Sequence, residues 1–202
     1  MNVEGGSRQS QIVRVAAMLF EKRGYEGTTM EEIAETVGLR KPSLYHYFRS
    51  KEDILVSIHK NLADVLIRKL RQRIAAGVRP WDNLHNTIFD IVNATETQPG
   101  HLRVFFATHR VLSSTQLEIA QGLRDEYLTM VEQVISDGIA DGSFRPGNPS
   151  LIALVLSAIC NAAEFRTLPP FGWSALLDQE ASDPAEIADT LWEILTVGVA
   201  AK

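Results

Sequence analysis

Apolar residues recur at three- and four-residue intervals almost from one end of this chain to the other, and glycine or proline cuts the pattern into segments. That periodicity belongs to amphipathic helices, because one face of a 3.6-residue turn returns at i+3, i+4 and i+7. Ile12, Ala16 and Phe20, with Val13, Ala17 and Leu19, mark the first helix, which Gly24 stops. Thr29 and Glu32 form a capping box, and Met30, Ile33, Ala34 and Val37 follow as a short stripe ending at Gly38. A third short helix covers 41–48, with Pro42 in its first turn, where a missing N–H costs nothing. Ser50 and Asp53 open a fourth, whose stripe is Ile54, Ile58, Leu62, Leu66 and Leu70. Further helices are expected over 81–97, 101–112, 115–141 (carrying Ile119, Leu123, Met130, Val134 and Ile135) and 150–168, and a last one after Asp183-Pro184. No strand pattern, repeat or low-complexity tract competes. The chain reads as all-α, with about nine helices.

At 202 residues the chain has room for between one and two domains. No apolar run reaches the roughly 20 residues of a membrane span, and the N-terminus shows no basic region followed by an apolar core. The expectation is a soluble, cytoplasmic protein. Cys160, the single cysteine, makes no internal disulfide and no cysteine-based zinc site, and no metal or cofactor is expected.

The net charge of −5 is spread unevenly. Residues 1–60 hold nine Lys or Arg and eight Asp or Glu, whereas 61–202 hold eleven and seventeen. Within 39–51, Arg40, Lys41, Arg49 and Lys51 stand without an acid. Such a local cationic run suits an element that faces phosphates, although a solvated surface cluster has the same composition.

That run coincides with two short helices joined at Ala34-x-x-x-Gly38, the spacing of a helix-turn-helix. Ala34 allows a close helix approach, and Gly38 can take a positive φ in the sharp turn. Leu44 would dock the second helix, leaving its other face for a major groove, which admits one α-helix. The stretch from Thr28 to Glu52, with Ala16-Ala17-x-Leu19-Phe20-x-x-x-Gly24-Tyr25 before it, closely resembles the DNA-binding segment of the TetR repressor family. The resemblance covers about residues 8–58. It implies a helix-turn-helix domain over 1–53, and an effector-binding and dimerisation domain over 54–202 that matches only in helical layout.

The resemblance implies roles for matching positions. Thr29 is expected to meet a phosphate, or simply to cap its helix. Arg40, Lys41 and Ser43 are expected to read the groove. Tyr45 and Tyr47 would reach phosphate or base methyls, Tyr45 having helix packing as its alternative, and His46 would face either groove or water. Lys51 would clamp a phosphate. Only Arg40, Lys41, Ser43 and His46 are placed to carry sequence information. The first eight residues hold a single cation, Arg8, which speaks against a basic arm in the minor groove.

One reading helix spans few base pairs, so proteins of this kind pair on two-fold operators. Relatives dimerise through their last two long helices. Here Leu151, Val155, Ala158 and Ala162, with Ile187, Leu191, Ile194 and Leu195, offer that surface; the alternative is monomer core. An effector pocket is expected within 81–140, with Trp81, Phe89, Phe105, Phe106, His109, Tyr127, Met130, Phe165 and Trp173 as lining candidates, each of which core packing would also explain. As a set they favour a hydrophobic or amphipathic small molecule, and some relatives sense acyl-CoA thioesters. The fourth helix would transmit the signal from pocket to DNA.

Catalysis is not expected. The five histidines show no metal-binding pair, and no nucleophile elbow, phosphate loop or dinucleotide fingerprint occurs. The functional reading is a ligand-responsive repressor that binds operator DNA as a homodimer. The alternative is a DNA-binding regulator or architectural protein without a small-molecule effector. Inducer and corepressor both remain open.

Overall fold

The computed structural model describes residues 7–97, 111–162 and 184–199. These form eight helices and no extended strand: α1 (Arg8–Arg23), α2 (Met30–Val37), α3 (Lys41–Tyr45), α4 (Lys51–Ala75), α5 (Pro80–Thr97), α6 (Ser114–Ala140), α7 (Pro149–Ala162) and α8 (Pro184–Val199). The helix expected over 101–112 lies almost wholly outside the described residues, as does the end of the one expected over 150–168. The third helix is shorter than the expected 41–48, although backbone N–H groups of Tyr47 and Phe48 still bond the Leu44 carbonyl.

The chain divides into two compact units, Met1–Leu62 with Gln98–Gly122, and Ala63–Thr97 with Leu123–Lys202. In the first, α1, α2, α3 and the start of α4 enclose one core built from the predicted stripes. Ile12, Ala16, Ile33, Leu44, Ile54, Leu55 and Ile58 have no appreciable exposure, and Phe20 stacks obliquely on Tyr25 with ring centroids 5.1 Å apart. A fully buried side chain of this kind contributes roughly 1.5–3 kcal/mol, so the core holds three short helices that would not persist alone.

Polar contacts fix how these helices meet. Thr28, buried, donates its hydroxyl toward the carbonyls of Gly24 and Leu19, closing the end of α1. Arg8 donates to the Val37 carbonyl at 2.8 Å and so satisfies the C-terminal end of α2. Arg23 pairs with Glu32 at 2.6 Å. At the start of α6, Gln116 donates to Asp53 at 2.8 Å.

In the second unit, Leu70, Leu84, Val131, Val134, Ile135, Phe144, Ala153 and Leu156 make the core, with Trp81, Tyr127, Met130 and Trp192 packed against it. α5 packs on α7 and α8. Phe144 folds back from the α6–α7 loop onto Gly138, its N–H bonding the Gly138 carbonyl at 2.8 Å. A Cβ at Gly138 would collide with the Phe144 ring, so only glycine admits this contact. Asp90, buried on α5, receives Lys69 on one carboxylate oxygen and Arg73 on the other, both at 2.6 Å. Arg73 also donates to Asn83 and Thr87.

One apolar stripe differs from expectation. Ile119 is exposed, and its neighbour Ala120 takes the buried position on α6. α7 reads as apolar on most faces; among its described side chains Ala153 and Leu156 are buried in the single chain, whereas Leu151, Leu154 and Val155 are exposed. Hydropathy marks a side chain that avoids water but does not say whether its own chain or another surface covers it.

Candidate nucleic-acid interface

The site is built on the turn between α2 and α3. Thr29 caps α2 in the predicted capping box: its hydroxyl accepts the Glu32 N–H at 3.2 Å, and its own N–H donates to the Glu32 carboxylate at 2.8 Å. These hydrogen bonds, from the Thr29 backbone first, together with nearby Arg23, hold the Glu32 carboxyl below the ordinary range despite slight desolvation. Gly38 ends α2 in the left-handed region, φ 71 and ψ 36, a conformation that disfavours any residue with a Cβ. Leu39 N–H returns to the Ala34 carbonyl at 2.8 Å and closes the turn.

α3 follows at once. Arg40 is its N-cap but makes no side-chain capping bond, so its guanidinium takes no part in closing the helix. Leu44, wholly buried, and Phe48, nearly so, anchor the segment on the core. The rest of it faces outward: Arg40, Lys41, Tyr45, His46 and Tyr47 are exposed and Ser43 is half-buried. Sequence spacing therefore brings the predicted readers together on one short open segment. Tyr45 is 44% exposed, so its side chain is partly packed and partly open.

Lys51, at the start of α4, is set differently. Its ammonium donates to the Tyr25 carbonyl at 2.9 Å and lies 4.3 Å from the centre of the Tyr25 ring. An ammonium has three donors, so this contact orients the group without exhausting it. Tyr25 is itself held by its hydroxyl, which donates to Glu52 at 2.6 Å. Burial first, then the Glu52 contact and the charges of Glu52 and Glu26, push the Tyr25 hydroxyl far above its ordinary pKa. Burial opposes ionisation of Glu52, but hydrogen bonds from Tyr25, its own backbone and Ser50, with Lys51 beside it, outweigh that and keep its carboxyl low. Asp53 accepts the Arg49 N–H at 3.2 Å while its own N–H donates to Ser50 at 3.2 Å, the predicted cap of α4. Tyr25 as the seat of Lys51, and Arg8 as the tie on α2, were not legible in the sequence. Their partners are 26 and 29 residues away, and the only available signal was the aromatic ring after Gly24.

An outward cationic and aromatic segment on a tightly capped helix-turn-helix is the geometry of a DNA-reading head. A family model described as bacterial regulatory proteins, tetR family, matches residues 12–58, and one for a tetracyclin repressor-like C-terminal domain matches residues 77–164. The chain belongs to the TetR family. It is a TetR-family transcriptional regulator with an N-terminal helix-turn-helix. The HTH-type transcriptional repressor KstR2 of Mycolicibacterium smegmatis is 28% identical over 141 residues, covering 69% of each chain. The structure of the ketosteroid transcriptional regulator KstR2 of Mycobacterium tuberculosis superposes with a TM-score of 0.79 at 21% identity, over 98% of both chains. That of AibR in complex with isovaleryl coenzyme A and operator DNA does so with 0.74 at 21% identity, over 93% of this chain and 97% of that one.

The other predicted residues of this TetR-family chain fall in the second unit or outside the described residues. Trp81 lies 4.7 Å from Trp192 and 5.9 Å from Phe144 between ring centres, and Tyr127 and Met130 are half-buried beside the same core. Phe89 is on the exposed side of α5. Phe105, Phe106, His109, Phe165 and Trp173 lie outside the described residues. Of the predicted pairing surface, Leu151, Val155, Ala158 and Ile194 are exposed and Ile187 and Leu191 half-buried, while the side chains of Ala162 and Leu195 lie outside the description. Leu154, more than half exposed, joins the α7 set unforeseen. Among the described residues no three metal-binding side chains cluster, and no helix is long and apolar enough to cross a membrane.

Proposed function

We propose that this TetR-family regulator is a repressor that binds a palindromic operator as a homodimer and is released by a hydrophobic or amphipathic small molecule. The observation that carries the DNA reading is the α3 segment, with Leu44 and Phe48 buried beneath exposed Arg40, Lys41, Tyr45, His46 and Tyr47. Arginine and lysine pair with guanine O6 and N7, and serine bonds several partners. Thr29 and Lys51 serve as phosphate contacts that set the register. In the DNA-free head, both the Thr29 hydroxyl and backbone are engaged with Glu32, so any phosphate contact there is made on top of the cap.

Pairing is supported by the apolar side chains that the single chain leaves in water. Leu151, Leu154 and Val155 on α7 and Ile194 on α8 are each 46–63% exposed. Two-fold pairing through α7 and α8 would cover them and place two heads about 34 Å apart, one turn of DNA.

The effector reading rests on the aromatic residues of the second unit and on relatives. AibR has been solved with isovaleryl coenzyme A and operator DNA, and KstR2 of M. tuberculosis is described as a ketosteroid regulator. An acyl thioester fits this reading. The ligand would favour a conformation with the wrong head spacing, and operator affinity would fall by the ratio of its affinities for the two conformations. α4, continuous from Lys51 to Ala75, would carry the change.

Selection of genomic DNA fragments by the purified ligand-free protein, followed by sequencing, tests the reading. A shared palindrome is expected. No enrichment, with or without cell extract, would sink it. Operator affinity measured with and without saturating acyl-CoA thioesters tests the effector class, and unchanged affinity across chain lengths counts against it.

A further inference from the structure

Lys41 opens α3 on the outward side of the head, yet its ammonium has a partner. Nζ lies 3.1 Å from Glu31 Oε2, joining the first turn of α3 to the first turn of α2. Both side chains are about half exposed, 48% and 60%, so the pair stands in water and a better acceptor can take the lysine. The neighbouring acid has other work: Glu32 closes the capping box and meets Arg23. Arg40, beside Lys41, makes no ion pair among the described residues. An acid in the first turn of α2 suits the positive end of the helix dipole, but that alone does not require it to reach α3.

We propose that Glu31 is a specificity-determining residue that withholds Lys41 from DNA until a correctly placed base edge displaces it. The proposal rests on the reading of α3 as the element that faces DNA. On an arbitrary sequence, Lys41 gains only a diffuse phosphate attraction by leaving Glu31. On the right sequence, a bidentate contact to guanine outweighs an exposed ion pair. Discrimination between two DNAs is the difference of the two affinities, so weakening the wrong complex is as effective as strengthening the right one.

The test uses the full chain as parent, Glu31→Gln, Lys41→Gln and the double variant. Each is titrated against a randomised duplex pool and against the sequence that the parent enriches from that pool. Glu31→Gln should bind the unselected pool roughly threefold tighter per head, and the enriched sequence with less change, so that discrimination narrows. In the Lys41→Gln background the same substitution should change pool affinity by less than about 1.3-fold, since the coupling between neighbours is then gone. Equal tightening in both backgrounds overturns the proposal, because Glu31 would then merely repel phosphate. Unchanged discrimination in Glu31→Gln also overturns it. If Lys41→Gln enriches the same sequence as the parent with the same affinity, the reading of α3 itself fails. Glu31 lies outside the capping box, so coincident thermal unfolding of parent and Glu31→Gln separates a binding effect from a folding one.

Discussion

Replacing Asp90 by asparagine removes one negative charge from between two cations in the second unit. Asp90 is 7% exposed, and its partners differ: Arg73 is 18% exposed and Lys69 43%. The Arg73 pair is largely out of water, and removing one member of such a pair costs about 3 kcal/mol, because the remaining charge stays desolvated. The Lys69 pair is half in water, and its lysine can swing out, so its loss adds only about 0.5 kcal/mol. The amide also turns an N–H donor toward one of the cations. Together these put the destabilisation at about 3–4 kcal/mol, a drop of roughly 7–14 °C in unfolding temperature for a protein of this size. Tryptophan fluorescence reads the right part of the molecule, since Trp81 and Trp192 pack against the core of the second unit. The companion variant, Asp90→Leu with Arg73→Met, removes both buried charges and should recover part of the loss, since buried Asn83 and Thr87 then lose Arg73 as a donor. An Asp90→Asn protein within about 0.5 kcal/mol of the parent, or a double variant no more stable than the single one, would refute the reasoning.

Lys51→Ala should weaken binding to every DNA sequence and lower the log–log salt slope by about 1.8 for a dimer, at about 0.9 per phosphate. Lys41→Ala should instead alter which base is preferred, as read from a randomised pool. Leu151→Glu with Val155→Glu should convert a dimer to monomers in sedimentation and abolish tight binding to a palindrome while sparing the helical circular dichroism. Gly138→Ala should destabilise the second unit by about 1–3 kcal/mol, since a buried phenyl ring must move to admit the methyl, and urea unfolding measures it. The Glu32 carboxyl titrates lower in the folded head than in the unfolded chain. Its contribution is therefore complete above the ordinary glutamate range and is lost as pH falls through that range toward the folded value. Glu32→Gln should lose this acid dependence, which circular-dichroism melts at descending pH will show.

Much of the reading head was legible because its determinants are local. A capping box is three residues long, a Gly38 turn needs only its own backbone, and Leu44 follows at a spacing that one helix-turn-helix imposes. The contacts that tune the same head are not local. Lys51 sits on Tyr25, Glu31 meets Lys41 and Gln116 reaches Asp53, and these are distances in space between segments 10 to 63 residues apart in the chain. Glu31, Lys41, Lys51 and Gln116 each carry the polar pattern of an ordinary solvated face.

The pattern of residues along the chain was enough to set the helical class, the ends of the first two helices, the position of the turn and the burial of Leu44. These follow from hydrophobic period, caps and glycine, which act within a few residues. Packing settled which polar groups distant in the chain meet. It placed a buried carboxylate between Lys69 and Arg73, seated Phe144 on Gly138, and buried Ala120 on α6 in place of the expected Ile119. The physical reason is the same in each case. Periodicity states which face of a helix is apolar, whereas the partner of that face depends on how the helices are packed, which no window of the sequence contains.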